Sequence, residues 1–148
     1  MSNTTLYDQD FYAWANEQAK RLRSGKLSEA DIEHIAEEIE DLAKRERREF
    51  IDALASLFRH LLQWEAQSAK QCECRKSRIK GKRLRVAMFL GESPSLALQI
   101  NELTIRAYRR ARLQATIKTG LADHTFPSTC PWSFDQVMAD NFWPGEAP

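Results

Sequence analysis

The first residues in this chain able to do chemistry are a histidine and its flanking carboxylates. Asp31, His34 and Glu38 stand at i, i+3 and i+7, which puts two carboxylates and an imidazole on one helical face, a donor set that binds metals in helical bundles. A di-iron bundle also needs a second Glu-x-x-His motif and further inward carboxylates. His60 has Leu57 at i−3 instead, and His124 falls in a loop. The surrounding stretch, Glu29 to Asp41, holds seven acids and no Lys or Arg. It reads more simply as a solvated acidic helix face, and no metal or cofactor is expected.

The remaining reactive side chains give no catalytic set. Cys72 and Cys74 lack the two-residue spacing of common zinc and redox motifs, and on a helix they would point about 200° apart. Cys130 is followed by Pro131 with no histidine near it, so three free, inert thiols in a reducing compartment are expected. His60 precedes Leu61, Leu62 and Trp64 and reads as a hydrogen-bonded histidine at the edge of a core. There is no Gly-rich phosphate loop, nucleophile elbow or dinucleotide fingerprint, so nothing points to an enzyme.

Charge is segregated although the formal net charge is only +1. Lys70 to Arg85 holds eight bases against Glu73. Within it Lys76, Arg78, Lys80, Lys82, Arg83 and Arg85 are candidates for phosphate contacts, with Arg106, Arg109, Arg110 and Arg112 further along the chain. Against a dedicated nucleic-acid binder stand a pI near 7.7, no helix-turn-helix or zinc finger, and aromatic residues that do not interleave with the bases. The acidic stretch Glu29 to Asp41 offers the bases another destination, within one chain or across a dimer. A self-associating, non-enzymatic interaction or structural protein is the leading expectation. Nucleic-acid binding through 70–85 is the alternative.

These residues must be positioned by helices. At 148 residues with 43% hydrophobic and 29% charged side chains, the chain fits one globular domain. The longest apolar run, Val86 to Leu90, is far short of the roughly 20 residues a membrane span needs. The first ten residues do not read as a secretory signal, so a cytoplasmic protein with residues 1–6 disordered is expected. Apolar spacing of three and four predicts a helix from Asp8 to Gly25, then one from Ser28 to about Gln67. A third covers Lys70 to Leu90, with Gly81 inside it. A fourth runs from Ser93-Pro94 to a stop at Gly120. The tail 122–148 carries Phe126, Trp132, Phe134, Phe142 and Trp143, and a short capping box at Ser133 and Gln136, which imply docking on the bundle. The fold class is therefore all-α: a bundle of four main helices, one unusually long, plus a short C-terminal helix.

The long helix carries Ile32, Ile35, Ile39, Ala43, Phe50, Leu54, Leu57 and Leu61 in one stripe, interrupted only at Glu46 and Arg47. At 1.5 Å per residue it would span about 58 Å, against a radius of gyration of about 15 Å for a compact chain of this size. Either it breaks near Lys44 to Arg48 or a second subunit covers its exposed half. A homodimer is the preferred outcome.

Six short segments taken in order, Tyr7 to Trp14, Glu37-Glu38-Ile39-Glu40, His60-Leu61-Leu62-Gln63-Trp64, Ser93-Pro94-Ser95-Leu96, Thr119-Gly120-Leu121 and Phe126-Pro127-Ser128-Thr129-Cys130-Pro131, resemble the bacterial family called "domain of unknown function 29". The resemblance covers roughly residues 6 to 143. It implies an all-helical bacterial protein and supplies no activity. Members of that family typically carry a Ser-Trp pair before the third helix, where this sequence has Cys74 and Arg75.

Overall fold

No proline precedes Pro94, so nothing in the first ninety residues removes a backbone donor from a helix. The computed structural model describes residues 5–146. Among them are six α-helices and no strand: α1 (Leu6–Gln9), α2 (Phe11–Arg23), α3 (Ile32–Ala66), α4 (Glu73–Glu92), α5 (Ile100–Thr119) and α6 (Phe134–Met138). The fold is all-α, with four main helices, α2 to α5, and a short C-terminal one.

Local chemistry sets the helix ends and moves several of them from their expected places. Asp10, not Asp8, opens α2: its carboxylate accepts from the Ala13 amide at 3.0 Å. Asp8 closes a capping box with Thr5 on α1. The disorder expected of residues 1–6 falls on 1–4, outside the described residues, and on Thr5 and Leu6, which cap and begin α1. Ser28 lies in a single 3-10 turn, Leu27–Glu29, and α3 starts after Asp31. At its other end α3 stops at Ala66, and it stays helical through Lys44–Arg48. α4 runs through Gly81 unbroken. Ser93-Pro94 leads a 3-10 stretch, Pro94–Gln99, before α5 begins at Ile100. Gly120 ends α5 at φ +69°, a conformation glycine adopts at no steric cost.

The cysteines correct the expectation of three free thiols. Cys72 is the extended cap residue ahead of α4, outside the helix, so the helical separation of about 200° does not apply. It is joined to Cys74 by a disulfide. Cys130 is free, and burial pushes its thiol pKa up.

The chain divides into two compact units, 1–46 and 47–148, where its length suggests one domain. The division falls within α3 in the run Lys44 to Glu49, six consecutive charged residues with no apolar side chain to build a core around. In the unit from Arg47 on, Phe50, Leu54, Leu57, Phe58 and Leu61 of α3 are fully buried. They pack in one cluster with Ile79 and Val86 of α4 and Leu103, Ala107, Ala111 and Ala115 of α5. The alanine stripe gives α5 a smooth face for close packing. Each large aliphatic side chain buried there contributes about 2 kcal/mol.

The tail joins the same core. Phe126 and Val137 are buried, and Trp132, Phe134, Phe142 and Trp143 pack against the cluster. Tyr108 donates to the Pro127 carbonyl at 2.6 Å. Arg83, only 2% exposed, donates to the carbonyls of Val137 (2.7 Å), Asp140 (3.4 Å) and Phe142, and its guanidinium stacks over Trp143. Three carbonyls of the tail thus converge on one cation.

Candidate functional site

In the unit ending at Glu46, α1, α2 and the start of α3 converge on His34. Asp31 at the head of α3 accepts from the indole of Trp14 at 3.1 Å and bonds His34 Nδ1 at 2.7 Å. The backbone amide of Asp31 donates to Gln18, which is buried, at 2.8 Å. Tyr7 stacks on the His34 ring with centroids 4.1 Å apart and donates its hydroxyl to Glu38. The bond to Asp31 raises the His34 pKa above its ordinary 6.5, and the bond to His34 lowers that of Asp31. The Tyr7 hydroxyl is pushed up to about 12, chiefly by its bond to Glu38.

The metal candidates Asp31, His34 and Glu38 are therefore near one another but separately engaged. Asp31 serves Trp14 and His34, while Glu38 serves Tyr7. Among the described residues no group of three or more His, Cys, Asp and Glu is arranged to hold a metal ion. What the cluster does is lock α1 and α2 to the first turns of α3.

Beside this polar knot lies an open apolar groove of about 500 Å3, lined by Phe11, Ala15, Leu22, Ile35, Ile39 and Leu42, with Glu38 and Arg45 as its charged members. Phe11 is 50% exposed, Leu42 58% and Ile39 61%. Only Trp14 and Gln18 are buried in α2, and no residue of α3 before Phe50 is. The stripe from Ile32 to Leu61 thus has two fates along one helix. The interruption of the stripe at Glu46 and Arg47, visible in the sequence, coincides with the point where its cover ends.

The six basic candidates also separate. Arg83 is consumed by the tail, and the Lys76 ammonium sits over the rings of Trp64 and Trp143 at 5.9 and 5.3 Å. Both face inward with Ile79 and Val86, a phase visible in the spacing of four and three. Lys80 is exposed. Arg78, Lys82 and Arg85 line one hollow, where Arg59 of α3 and Lys118 of α5 join them. Sequence reasoning missed those two, since nothing local links residues so far apart in the chain.

No helix of the described residues is long and apolar enough to cross a membrane. No curated protein and no solved structure matches the chain. A family model described as "Domain of unknown function DUF29" does match, over residues 6–143, and the chain belongs to that family.

Proposed function

We propose that the chain is a non-enzymatic, self-associating interaction protein, a bacterial cytoplasmic homodimer held through the apolar groove of α2 and α3. The observation that carries this reading is the exposure of Phe11, Ile39 and Leu42 around that groove. A helical unit of fewer than 50 residues rarely covers its apolar surface alone and commonly needs a partner to do so. The groove also suits a copy of itself. It carries one acid and one base, Glu38 and Arg45, so two-fold pairing can place opposite charges across the interface.

Few side chains of each copy are covered in such a pairing, so the dimer is expected to be weak and to dissociate on dilution. The test is the pair Ile39→Glu and Leu42→Glu in one chain. These solvent-facing changes leave helicity in the far-UV unchanged and yield a monomer at concentrations where the parent protein is dimeric. A dimer that survives both changes would exclude the groove as the interface.

A further inference from the structure

In the unit from Arg47 on, the second half of α3, α4 and the end of α5 enclose a surface that no carboxylate lines. Two adjoining hollows of about 750 and 260 Å3 share Arg59, His60, Arg78 and Lys118, and Lys82 and Arg85 complete the larger one. None of these five cations forms an ion pair among the described residues. Elsewhere in the same unit four arginines do pair: Arg47 and Arg106 with Glu102, Arg110 with Asp52, and Arg112 with Asp123.

The convergence is unfavourable in the free protein. Burial alone lowers the Arg59 pKa, so its guanidinium loses hydration without gaining a carboxylate. His60 is held below its ordinary pKa by burial and then by Arg59, Lys82 and Arg78, and its Nδ1 donates to the Ser56 carbonyl at 2.7 Å. In the smaller hollow Arg75 adds a further guanidinium, whose Nη1 is enclosed without an acceptor. A bound polyanion would relieve all of these at once.

We propose that this hollow binds the phosphodiester backbone of nucleic acid without reading its bases. Arg75, Arg78, Lys82 and Arg85 stand at i, i+3, i+7 and i+10, within about 80° of arc and in steps of about 4.5 to 6 Å along α4. Such a row suits a charge repeated along a strand. The forked guanidinium of arginine matches phosphate oxygens in pairs. No Phe, Tyr or Trp lines either hollow, so the large base-stacking platforms are absent and sequence preference is not expected. The site shares no residue with the α2–α3 groove, so it stands or falls separately from self-association.

The test is fluorescence anisotropy of the full chain with a short labelled DNA duplex of mixed sequence and with single-stranded RNA of the same length, over a salt series. Binding to either is expected, with the logarithm of affinity falling linearly with that of salt. The exposed changes Arg78→Gln, Arg85→Gln and Lys118→Gln, combined, reduce that slope by about 2 to 3 and weaken binding at least ~10-fold for every sequence tried. Thermal melting and solution mass stay at the parent values. Lys20→Gln with Arg23→Gln, on α2, leaves nucleic-acid affinity unchanged. Three results overturn the proposal: no binding at low salt, an unaltered salt slope in the triple variant, or polyglutamate binding as tightly as nucleic acid, which would point to an acidic protein partner.

Discussion

The two halves of α3 carry the same apolar spacing and meet different surroundings. From Phe50 to Trp64 ten side chains are buried, against α4, α5 and the tail. From Ile32 to Glu49 none is, and Ile39 and Leu42 stay largely exposed. Charge divides in the same place: residues 1–46 hold eleven acids and six bases, and 47–148 hold ten acids and sixteen bases. Periodicity states which face of a helix is able to be buried. Whether it is buried depends on what else the chain brings to it, and among the described residues before α3 the α-helices are two short ones, α1 and α2.

That contrast is open to attack at several points, beginning where the largest effect is expected. Phe58→Ala empties a fully buried site and should cost about 3 to 5 kcal/mol in chemical denaturation, whereas Ile39→Ala should change the stability of the chain by no more than about 0.5 kcal/mol. Comparable losses at the two positions would mean that the first half of α3 has a core of its own.

Arg83→Met keeps much of the side chain's bulk but leaves three tail carbonyls without their donor. A loss of about 3 kcal/mol is expected, with a change in tryptophan emission as Trp143 loses its cation. A wild-type melting curve would show that the aromatic contacts of the tail suffice without the clamp.

Asp31→Ala removes the acceptor that joins Trp14 and His34 at the head of α3, and should cost about 1 kcal/mol. Hydrogen exchange should quicken in amides of residues 11–40 and not in those of 50–66. Uniform quickening would contradict the division into two units.

The smallest effect is one of sign. His34 has a raised pKa, so its stabilisation is complete below about 6.5 and is lost as pH rises through the folded value. His60 has a lowered pKa, so stability is complete above about 6.5 and falls as pH drops toward the folded value. Raising pH from about 6 to 8 should therefore loosen residues 11–40 and tighten 50–66, read by exchange corrected for intrinsic rates. Shifts of one sign in both regions would remove this distinction.

Much of the architecture is legible in the sequence, because it is local. Glycine at 120, the Ser133–Gln136 box and the spacing of Phe50, Leu54, Leu57 and Leu61 each state their element within a few residues. Helix starts are less legible where two residues a few positions apart compete for one role. Asp8 and Asp10 are both able to cap, as are Ser28 and Asp31, and the winner is decided by backbone geometry across the junction. The candidate surfaces are less legible. Arg78 and Arg83 look alike in a charge count, and only the phase set by Ile79 and Val86 separates an outward cation from a buried clamp. Arg59 and Lys118 meet Arg78 through tertiary packing, for which no spacing rule exists. The Cys72–Cys74 pair departs from expectation because α4 begins at Glu73, three residues after the expected Lys70, which leaves Cys72 outside the helix.

The uncovered groove of α2 and α3 is the surface proposed for a second copy. Absolute mass by light scattering after size exclusion tests this directly, at low and at high salt and at the highest soluble concentration. A dimer is expected at both salt levels, becoming a monomer on dilution and in the Ile39→Glu, Leu42→Glu chain. A parent protein that is monomeric under every condition would contradict it, and a dimer lost only in high salt would move the interface from the apolar groove to the opposed charges.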